Sequence, residues 1–227
     1  RRFANLSYPM FTAYGSKATN LAELKRILPS VTPDGYAIPF YFYHEFMLHN
    51  GFYSEATQMI NDELFQKFPS VREKRLKEFR KRIKDIGILP GWMLEKLRVM
   101  QDSFENGITL RARSSTNNED LQGFNGAGLY ESYSHYPDEG HFSKTAKQVW
   151  AGLWTYRAFE EREFWKIDHL TASMGILVHP NYKDELANGV GITKNIYIPG
   201  PGWDGHYINV QKGDDLVTNP SLGSVPE

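Results

Sequence analysis

The apolar positions of this chain follow a helical repeat through the first half and change to strand-like alternation near residue 108. After the turn-like pair Gly15-Ser16, the residues Leu21, Leu24, Ile27 and Leu28 predict a short amphipathic helix, which Pro29 and Pro33 end. An aromatic-rich stretch, 40–48, predicts a second helix closed by Asn50-Gly51. Along the strongly basic run 72–84, the apolar residues Leu76, Phe79, Ile83 and, just past it, Ile86 are spaced 3, 4 and 3 apart. That spacing makes one buried stripe on a helix whose other faces are charged. Pro90-Gly91 opens a further helix, with Leu94, Leu97, Met100 and Phe104 expected inward and Asn106-Gly107 as its end.

From Ile108 the period is two. Ile108, Leu110 and Ala112 alternate with Thr109, Arg111 and Arg113, which predicts a strand carrying both arginines on one face. A turn-rich stretch follows over 114–128, then a long helix over 143–165 with Ala146, Val149, Trp150, Leu153 and Phe164 apolar. Short strands are expected at 174–179, 190–193 and 207–210, divided by Gly, Pro and Asn turns. Helices first and strands afterwards make an α+β chain. The expected division is a helix-rich N-terminal lobe over 1–107 and a strand-containing lobe with a mixed sheet over 108–227.

Charge and composition narrow the functional classes. The formal net charge of −1 argues against a general nucleic-acid binder, which carries a basic excess. The basic run 72–84 reads as the solvated face of its helix. With no cysteine there is neither a disulfide framework nor a thiolate metal site. No apolar run reaches the length of a membrane span, and no membrane partner is expected. The chain opens Arg1-Arg2-Phe3 without an initiator Met or an apolar signal core, and stops in a loop-like stretch at Glu227. It reads as a piece of a longer protein, and the expected location is the cytoplasm.

Two segments could carry chemistry. The strand with Arg111 and Arg113 runs into Ser114-Ser115-Thr116, and Gly123, Gly126 and Gly128 follow. Glycine lets backbone N–H groups approach an anion, and arginine is a planar phosphate donor. The same composition also builds an ordinary turn, and it matches neither a Walker A loop nor a Rossmann fingerprint. The second segment, Gly15-Ser16-Lys17, sets a lysine in the first turn of a helix, where free backbone donors already favour anions. Standing alone it also fits a surface lysine. Glu160, Glu161, Arg162 and Glu163 read as a charged helix face, Trp150, Trp154 and Trp165 as packing residues, and His169 and His179 as structural histidines.

Taken in order, these segments resemble the ATP-binding domain of the pyruvate phosphate dikinase and phosphoenolpyruvate synthase family. Gly15-Ser16-Lys17 with Asn20-Leu21-Ala22-Glu23-Leu24 is similar to its opening Gly-Gly-Lys…Leu motif, and Pro33-Asp34-Gly35-Tyr36 to its Pro-x-Gly-Phe block. Arg113-Ser114-Ser115, Glu119-Asp120 and Gly126-Ala127-Gly128 resemble its Arg-Ser-Ser…Glu-Asp…Ala-Gly loop. Val149-Trp150-Ala151 with Arg157-Ala158 resembles Val-Trp-Ala…Arg-Ala, and residues 188–195 the strand Ser-Gly-Val-x-Phe-Thr-x-Asn.

The resemblance implies an ATP-grasp-like domain that holds ATP, with Mg2+, between two lobes. By position it assigns Lys17 and Arg113 to the ATP phosphates, and Gly123, Asn125, Gly126 and Gly128 to a loop closing over the γ-phosphate. Gln211 falls on the last nucleotide strand, and 174–181 on the adenine-side strand. The phosphoryl group would pass to a histidine on a further domain and then to an acceptor. The family's Thr-Ser-His-Ala motif is absent here, so this chain by itself is expected to lack the nucleophile. Relatives carry a metal-binding Glu at the place of His206 or Asn209; Asp214 and Asp215 lie close by as alternative metal ligands. A non-catalytic nucleotide-binding module, or the ATP domain of a glucan or antibiotic phosphotransferase, stays open beside the dikinase reading.

Overall fold

The computed structural model describes residues 1–118, 120–121, 124–125, 128–182, 185–194 and 205–213. By their contacts the residues form two compact units, Arg1–Asn181 and Tyr182–Glu227. In the first, α1 (Phe11–Tyr14) and α2 (Ser16–Ile27) lead to β1 (Tyr36–Ile38), followed by α3 (Phe40–His49), α4 (Phe52–Ile60), α5 (Glu63–Lys67), α6 (Pro69–Asp85) and α7 (Gly91–Gln101). Next come β2 (Leu110–Thr116), the two-residue strands β3 (Asp120–Leu121) and β4 (Phe124–Asn125), and β5 (Tyr133–His135). The unit closes with α8 (Ser143–Ala151), α9 (Tyr156–Phe164) and β6 (Met174–Pro180). The second unit contributes the hairpin β7 (Ala187–Ile192) and β8 (Tyr207–Lys212).

The chain is α+β, as its periodicity predicts. Two features of the expectation are corrected. The sheet is antiparallel in every described pairing rather than mixed. Its order is β1-β6-β2-β5, so a strand from the helix-rich half sits at one edge. Tyr36-Ala37-Ile38 is too short to show an alternation, and it becomes a strand because β6 offers it a partner. The apolar run of β6 lies inside the sheet and feeds two cores. Ile176 and Val178 point with Ile38, Leu110 and Ala112 into the large core packed by α3, α6 and α8. Leu177 and Ala37 point the other way, against Phe3, Leu6, Ala18 and Ala22.

The helices follow their sequence signals with four exceptions. α6 buries Leu76, Phe79 and Ile83, but Ile86 lies past its last turn and is exposed. α7 buries Met93, Leu97 and Met100; Leu94 faces outward, and Phe104 lies beyond its end, half-buried. α2 turns its small residues Ala18, Thr19 and Ala22 inward and leaves Leu24, Ile27 and Leu28 exposed. The single helix expected over 143–165 is two, divided by a 3-10 turn at Gly152–Trp154. Thr155 takes an extended conformation there, and its hydroxyl accepts from the N–H of Ala158 at 3.2 Å, capping α9. Trp154 is anchored by its indole N–H, which donates to Tyr43 Oη at 2.9 Å inside the core. None of the described helices is long and apolar enough to cross a membrane.

Candidate functional site

Gly15 makes the junction on which the site is built. Its φ of +83° and ψ of 156° belong to a region open in practice only to glycine. A Cβ there would lie 2.4 Å from Ser115 Oγ and 2.9 Å from the Ser115 carbonyl carbon. The missing side chain therefore lets the start of α2 rest directly on the end of β2. The N–H of Ala18 donates to Ser115 Oγ at 3.2 Å, so a strand hydroxyl satisfies one of the amides free at the helix start. Gly175, opposite Ser115 in the register, sits equally close: a Cβ there would meet Ile38 O at 2.9 Å and Tyr14 O at 3.0 Å. Backbone from α1, β1, β2 and β6 converges at this point.

Lys17 follows two residues after Gly15, half-buried in the first turn of α2. Arg113 lies two residues before Ser115, exposed and on the same face of β2. The pairing of β2 with β6 sets Arg111 opposite His179, so Arg111, Arg113 and His179 share that face. Arg111 is half-buried and donates from Nη1 to Ser134 Oγ at 2.9 Å. Neither arginine is paired with a carboxylate among the described residues. Burial, with Arg113 nearby, lowers the Arg111 pKa; burial lowers that of His179, and the two arginines add to the effect. A face of like charges favours an anion.

Beyond Arg113 the strand continues to Thr116, further than the turn-rich composition suggested. Ser114 Oγ and Thr116 Oγ1 are buried there without a hydrogen-bond partner. Asn117 fastens the strand end: its Nδ2 donates to Thr171 O at 2.9 Å, and its Oδ1 accepts from the N–H of Ser173 at 2.8 Å. In the loop, Asn125 pairs through β4 with Asp120, and Gly128 has a φ of +74° and is exposed. Gly123 and Gly126 lie outside the described residues, as do Asp214 and Asp215.

The hairpin of the second unit presents Asn188, Val190, Ile192, Tyr207, Asn209 and Gln211 on one face. The side-chain oxygens of Asn209 and Gln211 are buried on it without a hydrogen-bond partner. Among the described residues, no group of three His, Asp or Glu side chains is placed to hold a metal ion. A cavity of about 390 Å3 lies at the β1 edge, walled by Tyr36, Tyr41, Phe42 and Trp92; neither Lys17 nor Arg113 lines it.

Periodicity misplaced Arg162. Expected on a charged helix face, it is wholly buried. Its Nε donates to His169 Nδ1 at 3.0 Å, Nη2 to Leu153 O at 2.8 Å and Nη1 to Tyr130 Oη at 3.4 Å. Nothing in Glu160-Glu161-Arg162-Glu163 signals this, because the partners lie as far as 32 residues away. The histidines match their structural reading: His169 stacks on Phe159 with ring centroids 3.8 Å apart, and His179 Nδ1 donates to Pro180 O at 2.7 Å. Trp150 and Trp154 are buried, whereas Trp165 is substantially exposed.

Residues 12–218 match the family model described as "Pyruvate phosphate dikinase, AMP/ATP-binding domain". The phosphoenolpyruvate synthase of Aeropyrum pernix is 27% identical over 182 residues, which cover 76% of this chain and 22% of the relative. A probable phosphoenolpyruvate synthase of Staphylothermus marinus is 29% identical over 184 residues, 72% of this chain and 20% of the relative. The chain thus spans about a fifth of the length of these relatives.

Proposed function

Because the chain belongs to the pyruvate phosphate dikinase AMP/ATP-binding domain family, we propose that it binds ATP as the nucleotide domain of a dikinase-type phosphotransferase, similar to phosphoenolpyruvate synthase. The observation that carries this reading is the seating of the Lys17 turn on β2, beside the face that carries Arg111 and Arg113. Lys17 and Arg113 contact the ATP phosphates, and backbone N–H groups of Gly123, Asn125, Gly126 and Gly128 cradle the terminal phosphate. Gln211 is a further nucleotide contact. The fold is ATP-grasp-like, with a helix-rich lobe over 1–107 and a strand-containing lobe over 108–227.

The work of these residues is electrostatic. Phosphoryl transfer asks a protein mainly to neutralise charge on the phosphate oxygens and to align attacking and leaving groups. A lysine at a helix start adds a mobile cation to fixed backbone donors. Arg113 adds a planar donor that no described carboxylate pairs with. Magnesium, when bound, would supply positive charge beside the phosphates, and the amide oxygens of Asn209 and Gln211, hard donors of the type it takes, would help to hold it. Asp214 and Asp215 are proposed as its carboxylate ligands. The phosphoryl acceptor is a histidine on a domain outside this chain, which then serves pyruvate or another final acceptor.

Calorimetric titration of the chain with ATP, with and without magnesium, tests the reading. Binding that weakens on loss of Lys17 or Arg113 supports it, and binding indifferent to both removes the site. The second reading, a non-catalytic nucleotide-binding module, is favoured by the residues His206 and Asn209, neither of them acidic, at one of which relatives carry a metal-binding Glu. It expects ATP affinity to be the same with and without magnesium.

A further inference from the structure

The cavity at the β1 edge is walled by residues that the ATP reading leaves unused. Trp92, Lys96 and Val99 are spaced 4 and 3 apart, which sets them on one face of α7. That face is open: Trp92 is 41% and Val99 58% exposed. The first turn of α3 brings up Tyr41, 57% exposed, and Phe42. Trp92 stacks on Tyr41 with ring centroids 5.9 Å apart and meets Phe42 edge-on at 5.1 Å. With Tyr14 and Tyr36 these rings line a space of about 390 Å3. Single exposed apolar side chains are ordinary, but several of them converging on a space of this size make the composition of a small-ligand pocket.

The floor of the cavity is backbone that cannot move easily. Ile38 belongs to β1, and its carbonyl oxygen lies 2.9 Å from where a Cβ of Gly175 would stand on β6. At Ala37 the strand edge is already closed. Its N–H donates to Arg1 O at 2.8 Å, and its carbonyl accepts from Arg1 N at 2.8 Å. An extended peptide therefore finds no free backbone pair at Ala37 on which to add a strand. The space suits a compact molecule.

Charge narrows its class. The lining contains two cationic side chains, Lys96 and Arg1, and no described carboxylate. Lys96 is in no ion pair among the described residues. Aromatic walls favour a flat ring, and an uncompensated cation at their rim favours a negative group on it. We propose that this cavity is a binding site for a small aromatic carboxylate, with its ring among Tyr41, Phe42 and Trp92 and its carboxylate on Lys96. The site is separate from the one proposed for the ATP phosphates, since neither Lys17 nor Arg113 lines it.

The probe is 2-naphthoate, and 2-naphthamide, the same rings without the charge, is its control. Calorimetric titration of the chain should show one saturable site for the acid and about tenfold weaker binding of the amide. Lys96→Gln should weaken the acid about fivefold and leave the amide within about twofold. Val99→Glu, which sets a carboxylate on the wall, should weaken the acid about tenfold or more and spare the amide. Trp92→Leu should weaken both. In a 15N-labelled chain, the indole N–H resonance that Trp92→Leu removes should shift with 2-naphthoate. All three positions are exposed, and if Trp92→Leu does not fold, the two charge variants decide. No saturable binding, equal affinity for acid and amide, or an acid affinity untouched by both charge variants overturns the proposal. Displacement of 2-naphthoate by ATP also overturns it and leaves the ATP reading standing. A chain that sediments as a dimer, and as a monomer in Val99→Glu, overturns it too, because a second copy would then cover the cavity.

Discussion

Gly15 and Ser115 are in backbone contact: the Cβ that Gly15 lacks would lie 2.4 Å from Ser115 Oγ and 3.0 Å from Ser115 O. Ser115 lies in a strand and is tightly held, so that space cannot open cheaply. Gly15→Ala adds a strained backbone region to the clash and should destabilise the chain by on the order of 2–4 kcal/mol. Thermal unfolding checks this. A melting temperature equal to that of the wild type would mean that α2 can lift from β2 at little cost.

Lys17→Ala and Arg113→Ala are each expected to weaken ATP binding by about 1–3 kcal/mol, the range for a charge-assisted contact to a phosphate. Arg113 is exposed and its removal should leave the melting temperature nearly unchanged. Titration calorimetry of both variants against the wild type, at one salt concentration, is the measurement. A loss of affinity accompanied by a large drop in stability would assign Arg113 to the fold.

Burial holds the pKa values of His135, His169 and His179 below the ordinary histidine value. The unfolded chain then binds protons that the folded chain refuses. Stability is therefore full above the unfolded value of about 6.5 and declines as pH falls through it. Glu139, held low first by Lys144, extends the decline to more acid pH, below the ordinary carboxylate value. Urea midpoints should fall between pH 7.5 and 5.5, and less so in His169→Gln. A flat midpoint over that range would show that these rings protonate freely in the folded chain.

Two arginines of α6 should differ sharply. Arg72 is largely buried; it donates to Glu160 Oε1 at 2.5 Å and to the carbonyls of Phe65 and Gln66 at 3.1 and 3.0 Å, joining α5, α6 and α9. Arg82 pairs with Glu55 across the surface, with 51% of its side chain exposed. Arg72→Ala should cost about 1.5–3 kcal/mol and Arg82→Ala less than about 1 kcal/mol. Denaturant unfolding decides the ranking, and equal costs would contradict it.

What the sequence determined by itself was local. The alternation at Ile108–Ala112 marked β2 and its arginine face, because side chains in a strand alternate whatever packs on them. The stripe of Leu76, Phe79 and Ile83 marked the buried side of α6 for the same reason. The order of the short motifs pointed to the family, whose model matches residues 12–218. Tertiary structure alone decided which apolar face was used. α2 buries alanines and exposes leucines because the closest approach to β2 runs through Gly15, where only small residues fit. Tyr36-Ala37-Ile38 is a strand because β6 offers it a partner, and Arg162 lies inside because Tyr130, Leu153 and His169 surround it. Periodicity can say that a residue is polar and which side of its helix it takes. It cannot say what distant part of the chain will come to meet that side, and that meeting determines the burial and partners of Arg162.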